Sequence, residues 1–399
     1  MSQVNTRTKR IFISDIHMGD ERSFSTNPPT YPHTYGWFND PDRIKLLTNF
    51  LDGIVQSSDV KELVILGDLF DQWVCPISYN PNITCEPVVT APQNKSIIDM
   101  LKAIDQHNDL TLTLVPGNHD MHMLFDENFI KQVFPNINIP GGDSPVVRVY
   151  QADNNFLAAE HGSQYTMFCS PDTWSNPGGY LPLGFYISRV VADKNARLEK
   201  NIDMLDIIIK FVKAFWDDIK KKKYEGLAHD IFLALSGDCG FKGTDNILMN
   251  GFDHCSNSIT VDEVANRYGQ LFCDWEKYAG KELGLSTLDG LLYEILKLQG
   301  AAQRMYFSKN KAKVVIFGHT HEPTIEGYHG EHLIKEFIHD IPSDYIYANS
   351  GTWVDSHKQC TYVETEENTQ EGKYHVRLFQ YRGPSKKSKL IMDGFIPLA

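Results

Sequence analysis

Five short apolar runs in this chain each end in side chains that can bind metal ions: Asp15-Ile16-His17, Gly67-Asp68-Leu69-Phe70-Asp71, Gly117-Asn118-His119-Asp120, Glu160-His161-Gly162 and Gly318-His319-Thr320-His321. The runs that lead into them are Arg10 to Ser14, Glu62 to Leu66, Leu110 to Val115, Asn155 to Ala159 and Lys313 to Phe317. Each is short, mostly apolar and bounded by turn residues, so each reads as a buried strand. A fold that accepts this pattern must lay strands side by side with their carboxyl ends at one edge. Tyr345 to Ala348 reads as a sixth strand, and Tyr374 to Phe379, which alternates, as a half-exposed one.

Helical patterns lie between the first strands. Asp42 to Ile54 carries apolar residues at Ile44, Leu47, Phe50, Leu51 and Ile54, which is helix spacing, and Ser96 to Ile104 repeats it. Strands alternating with helices imply an α/β fold with a mostly parallel or mixed sheet. Ligands of such sheets bind beyond the strands' carboxyl ends, where all five clusters fall. The stretch 164–311 differs. It holds long helical patterns over 182–200, 201–223, 260–277 and 287–307, and it separates the fourth cluster from the fifth. The expected organisation is a core of residues 8–163 and 312–383, a helical insertion (a lid or cap) at 164–311, and a C-terminal tail at 384–399. The loops Glu21 to Asp40, rich in proline and aromatics, and Cys75 to Gln93, rich in proline, follow ligand clusters and are expected to rim the site.

The chemistry follows from residue type and spacing. In Asp15-x-His17 and His319-x-His321, alternate residues of an extended segment point the same way, so two donors reach one ion together. A carboxylate at Asp68 can bridge two cations, with Asp71 one turn further on. Asn118 supplies a carbonyl oxygen, an uncommon ligand suited to hard or borderline cations. Taken singly, these have plain alternatives: Asp68 as a helix N-cap, His161 as a buried, hydrogen-bonded polar residue. Taken together, at successive strand ends, they read as one two-metal hydrolytic site. The donors are oxygen and nitrogen without thiolate, which favours Mn²⁺, Fe or Zn²⁺ over soft ions.

Composition narrows the partners. A formal net charge of −13 argues against broad nucleic-acid binding, which needs clustered Lys and Arg. Bound metals would still reverse the sign locally and admit a phosphorylated substrate. The seven cysteines are irregularly spaced and include no C-x-x-C, as expected of structural thiols in a reduced cytoplasmic protein. Ile202, Leu205, Ile208, Ile209, Val212, Phe215, Trp216 and Ile219 form an apolar stripe before Lys220 to Lys223. Membrane-surface contact through 201–223 and packing on neighbouring helices both fit it, packing better. Ser236-Gly237-Asp238-Cys239 imitates the second cluster but lacks a strand before it, and reads as a turn. Tyr31, Tyr35, Trp37 and Phe38 suit either stacking on a substrate ring or loop packing.

The five clusters, in this order, resemble the blocks D-x-H, G-D-x-x-D, G-N-H-[D/E], H and G-H-x-H of the calcineurin-like metallophosphoesterases. The resemblance covers Arg10 to Gly162 and Lys313 to Arg382. It implies two mixed β-sheets packed as a sandwich and flanked by helices, with a dinuclear metal site at one edge. One ion would take Asp15, His17, Asp68 and His321, and the second Asp68, Asn118, His161 and His319, with Asp68 shared. His119 would face the leaving group, oriented by Asp71. The implied activity is a phosphatase: hydrolysis of a phosphate ester by a hydroxide bridging two metals, Mn²⁺ first among the candidates. Its substrate would be a small molecule, a nucleotide-sugar or a peptide carrying phosphate. Gly67-Asp68-Leu69-Phe70-Asp71-Gln72-Trp73 and Pro182 to Arg189 also resemble the branch of UDP-2,3-diacylglucosamine pyrophosphatases. That branch carries Arg where His119 stands, and so is kept as the alternative. A nuclease or phosphodiesterase, and a metal-poor binding scaffold, rank lower.

Overall fold

The computed structural model describes residues 7–25, 31–198, 204–251, 257–295, 298–330, 332–334, 341–354 and 360–398. In chain order its strands are β1 Lys9–Ile13, β2 Val60–Leu66, β3 Thr111–Val115, β4 Tyr150–Ala152 and β5 Leu157–Ala159. Then come β6 Asn246–Leu248, β7 Ser258–Thr260, β8 Val314–Phe317, β9 Thr324–His329 and β10 His332–Leu333. The last are β11 Ile341–Pro342, β12 Tyr345–Asn349, β13 Thr361–Asn368, β14 Lys373–Gln380 and β15 Lys389–Pro397. They build a seven-stranded sheet of order β11-β15-β14-β13-β1-β2-β3 and a six-stranded sheet of order β10-β9-β12-β8-β5-β4, with β6 and β7 pairing alone. Both large sheets are mixed. β1, β2 and β3 run parallel while β1 pairs antiparallel with β13. β5, β8 and β12 run parallel while β12 pairs antiparallel with β9.

Strand alternation decides what each face buries. On β1 and β2, Phe12, Val64 and Leu66 point between the sheets and meet Leu157, Ala159, Val314 and Ile316 of the other sheet. Ile11, Ile13, Leu63 and Ile65 point outward, against Leu47, Phe50 and Leu51 of the helix Pro41–Val55 and Ile97, Leu101 and Ile104 of the helix Lys95–Asp105. On β8, Val315 and Phe317 face outward and join the insertion's core. The layers are therefore helices, sheet, sheet and insertion. Each such fully buried side chain contributes on the order of 1.5–3 kcal/mol.

Among the segments that differ from their sequence reading, three are instructive. β13 has no counterpart there, because Glu364, Glu366 and Glu367 break its apolar pattern. Arg377 on the neighbouring β14 bonds both Glu364 (2.9 Å) and Glu366 (2.8 Å), which makes the acidic strand compatible with a sheet. Within 384–399, grouped in sequence as a tail, Lys389–Pro397 pairs along the length of β14. Ser236-Gly237-Asp238 is the last turn of a helix, Leu227–Asp238, and not a free turn. Leu227, Ala228, Ile231, Phe232 and Leu235 bury that helix, while Asp238 faces Lys194 and Lys210 at the surface.

The insertion stripe runs along the helix Met204–Ala214 and the turn of helix Trp216–Lys220. Ile208, Val212 and Ile219 are buried in the insertion's core, with Phe215 and Trp216 packed against it. Ile202 of that stripe and Cys255 lie outside the described residues. Among the described residues, no helix is long and apolar enough to cross a membrane. The six described cysteines are all free thiols.

Two buried polar groups tie core to insertion. Arg189, fully buried in the helix Leu183–Leu198, donates to the carbonyls of Cys75 (3.0 Å), Pro76 (2.9 Å), Tyr79 and Leu248. His122 Nε2 lies 2.7 Å from the Gly179 carbonyl, to which it donates. Burial pushes the His122 pKa down to about 4, against about 6.5 in an unfolded chain. Because the folded value is the lower one, the unfolded chain takes up a proton first as pH falls. Stability is therefore lost on acidification through that window, by about 2 kcal/mol between pH 7 and pH 5. Urea melts at the two pH values should show this extra loss in the wild type and not in His122→Gln. Equal slopes would show that His122 is not held neutral.

Candidate metal centre

All five clusters sit at one edge of the sandwich, because the parallel strands β1, β2, β3, β5 and β8 end there. Asp15 and His17 follow β1, Asp68 and Asp71 follow β2, Asn118 and His119 follow β3, His161 follows β5, and His319 and His321 follow β8. The loops are joined by backbone bonds: Ile16 and His17 donate to the Asp68 carbonyl (2.9 and 2.8 Å), Gln72 donates to His119 (3.2 Å) and Gly318 to His161 (3.0 Å). Close approach is built in at Gly67, whose φ is 80° and where a Cβ would stand 2.6 Å from the Gly117 backbone.

The backbone itself is strained here. Asp15, His17, Asp68, His319 and His321 all adopt positive φ, from 52° to 70°. For residues with a Cβ that conformation costs on the order of 1 kcal/mol each. Five such residues in one site persist only because the surrounding loops impose them.

The donor atoms converge. His321 Nε2 is 3.2 Å from Asp15 Oδ1, and His17 Nε2 is 3.9 Å from the same oxygen and 3.6 Å from Asp68 Oδ2. His161 Nε2 is 3.2 Å from Asp68 Oδ2 and 3.0 Å from Asn118 Oδ1. The His161 and His319 rings are 5.1 Å apart. Asp15, Asp68, Asn118, His17 and His161 are almost wholly buried, whereas His321 keeps 22% of its side-chain surface, so the site opens on that side.

Their chemistry fits cations. His161 Nδ1 donates to the Leu66 carbonyl at 2.8 Å, so its Nε2 presents a lone pair toward two oxygen acceptors. Only a proton or a metal ion between them relieves that arrangement. Burial disfavours a charged His161, but the Asp68 carboxylate, and then Asp15, lift its pKa to about 10. Burial likewise opposes the Asp15 charge, yet His321, then His161, hold it at about 2. Asp68, raised by burial, is carried well below the usual carboxylate range by His161 and His119. Asp15 Oδ1 and both His17 ring nitrogens are buried without a hydrogen-bond partner. Buried polar atoms left in that state are costly unless an ion satisfies them.

His119 stands beside this group. Its Nδ1 bonds Asp71 Oδ1 at 3.0 Å, leaving Nε2 for the opposite end of the ring. The same Asp71 oxygen accepts from the Trp73 and Val74 backbone N–H groups (3.0 and 2.9 Å), which fixes the carboxylate. Burial lowers the His119 pKa, but Asp71, then Asp68, outweigh it and raise it above the ordinary value. Every residue named from the sequence is thus brought into one cluster.

Four further residues build the site; of these the sequence offered a part only to Trp37, as one of four aromatics suited to stacking on a substrate ring or to loop packing. Asp120 accepts from the backbone N–H of Gly117 (2.6 Å), Leu69 (2.8 Å), Phe70 (3.2 Å) and Asp68 (3.3 Å), locking the second and third blocks together. Its place as the acidic fourth residue of the third block was the available signal. Glu160, beside His161, is bonded by Tyr165, Tyr306 (2.6 Å) and Gln164. Trp73 stacks on His119, with centroids 4.6 Å apart, and Trp37 lies 5.1 Å from the same ring. Tyr31, Tyr35 and Phe38 are buried in loop packing, whereas Trp37 is half-buried at the site.

A family model described as calcineurin-like phosphoesterase matches residues 8–323. Among solved structures, a dimetal phosphatase from Danio rerio aligns at 10% identity over 96% of this chain and 98% of its own, with a TM-score of 0.37. GAP50, the anchor in the inner membrane complex of Plasmodium, aligns at 12% identity over 97% of this chain and 89% of its own, with a TM-score of 0.30. No curated protein matches the chain.

Proposed function

Since the chain belongs to the calcineurin-like phosphoesterase family, we propose that it is a phosphatase that hydrolyses phosphate monoesters at a two-metal site. The observation that carries this reading is the convergence of Asp15, His17, Asp68, Asn118, His161, His319 and His321 from five strand ends into one cluster, buried except at the half-buried His319 and His321. Asp15, His17, Asp68 and His321 would hold one ion, and Asp68, Asn118, His161 and His319 the other. When bound, two such ions lower the pKa of water and polarise phosphoryl oxygens. The oxygen and nitrogen donor set supports Mn²⁺ as first candidate, then Fe or Zn²⁺.

The chain's own residues supply the rest. Asp71 keeps the Nδ1 proton of His119 in place and stabilises the ring's charge, which leaves an Nε2–H to give to the departing alkoxide. Asp120 and the Ile16, His17 and Gln72 backbone bonds hold the loops in register, so that the ligands are pre-positioned.

Dialysis against EDTA should lower turnover of p-nitrophenyl phosphate by more than about 100-fold, and Mn²⁺ should restore it. Undiminished activity after chelation would refute the two-metal reading. The same assay, extended to bis-p-nitrophenyl phosphate, phosphopeptides, nucleotides and UDP-2,3-diacylglucosamine, ranks the substrates. Activity confined to the last would replace the monoester reading with a pyrophosphatase.

A further inference from the structure

A chain of contacts runs from the helical insertion to His119 through the loop 31–40. At its outer end the loop is fastened to the helix Leu183–Leu198. Tyr31 donates to Asp193 and is bonded to Ser78, and the His33 N–H donates to the Ala196 carbonyl at 3.1 Å. Tyr31, Tyr35, Val74, Ala192 and Ala196 form a small buried apolar cluster, separate from the three main cores, and Trp37 packs against it. At its inner end the Trp37 indole lies 4.8 Å from the His17 ring and 5.1 Å from the His119 ring, centroid to centroid. Among the described residues the His119 ring makes one hydrogen bond, Nδ1 to Asp71, which restrains one edge and leaves a pivot about it. Ring contacts with His17 (4.5 Å), Trp73 and Trp37 limit that pivot. Trp73 comes from the loop after β2 and meets Phe185 of the helix Leu183–Leu198 edge-on, at 6.1 Å; Trp37 is fastened to that helix through the hydrogen bonds of its own loop.

We infer that Trp37 is a positioning residue for His119, and that the helical insertion acts on the leaving-group side of the reaction through it. The inference rests on the reading of His119 as proton donor. A donor displaced by even an ångström loses much of its rate advantage. The loss falls on esters whose leaving group needs the proton and spares those whose leaving group does not. That selectivity separates positioning from general damage.

The test uses the full-length, zinc-loaded protein with Trp37→Ala, Trp37→Phe and Tyr31→Phe, assayed on p-nitrophenyl phosphate and on glycerol 3-phosphate. Trp37→Ala should lower kcat on the alkyl ester by about 30–100-fold but on the aryl ester by less than about threefold, with KM and zinc content little changed. Trp37→Phe should recover most of the loss. Tyr31→Phe, which cuts the bond to Asp193 far from the reacting atoms, should lower alkyl-ester turnover by about fivefold and leave the aryl ester alone. Equal losses on both esters, or none, would overturn the inference. Histidine-labelled NMR gives a readout independent of turnover: the His119 ring signals, identified by their absence in His119→Ala, should move in Tyr31→Phe, which keeps the Trp37 indole and its ring current and loosens only the loop that carries it. If the wild type hydrolyses neither ester but those signals move, the phosphatase reading falls and the positioning contact stands. If they stay in place, the inference falls whatever the kinetics.

Discussion

Replacing Asp68 by asparagine should lower kcat/KM by at least about 10³-fold while leaving the fold intact, because the side chain keeps its shape and loses only its charge. Asp68 is the anion that His161 and His17 share, at 3.2 and 3.6 Å, and its Oδ1 also accepts the His119 backbone N–H at 2.8 Å. Without that charge, each proposed ion loses its common ligand, a deficit of several kcal/mol. Metal content should fall in parallel. His119→Ala provides the contrast: on an alkyl ester such as glycerol 3-phosphate it should cost about 10²–10⁴-fold while leaving metal content unchanged, as expected for a proton donor outside the ligand set. Circular dichroism and metal analysis beside the kinetics distinguish the two. Near wild-type turnover in Asp68→Asn would end the assignment of a shared carboxylate.

The largest loss of stability is expected from Arg189→Met. Arg189 is fully buried, and its guanidinium donates to carbonyls from the loop after β2 and from β6, so one side chain joins the core to two parts of the insertion. Methionine fills much of the volume but leaves those carbonyls buried without donors. Removing one partner from such an arrangement costs about 3–5 kcal/mol. Arg189→Lys should lie between, since an ammonium cannot span a planar fork of acceptors. Thermal and urea denaturation measure both. A Met variant that melts with the wild type would show that the insertion is held by its apolar packing alone.

The parts of the molecule that were legible in the sequence are those where local pattern and tertiary demand coincide. β1, β2, β3 and β8 are mostly apolar runs because both faces of each sheet are covered there, so composition and burial say the same thing. The five blocks were legible because they carry the carboxylate, amide and imidazole groups that the proposed chemistry needs, placed next to strands. What escaped lies where a distant neighbour supplies what the local sequence lacks. β13 is a strand because Arg377 neutralises its glutamates, and Arg377 lies on another strand. Trp37 belongs to the site because Tyr31 and His33 anchor its loop to a helix more than 150 residues away in sequence. Asp120 organises two blocks through four backbone N–H groups, and backbone donors have no signature in sequence.

The order of the blocks along the chain has a consequence for how the protein is made. His161 and His319 are separated by roughly 150 residues, about 10–30 s of synthesis on a ribosome. Throughout that interval β5 has no neighbour on its inner side, because β8, the strand that stands between β5 and β12, does not yet exist. Four of the five ligand blocks have then emerged, with their carboxylates and imidazoles facing a gap. The nascent chain must keep this half-built, strongly anionic edge apart from other chains until the insertion has been completed. A site assembled in this order gains its last two imidazoles only after the whole insertion has already been synthesised.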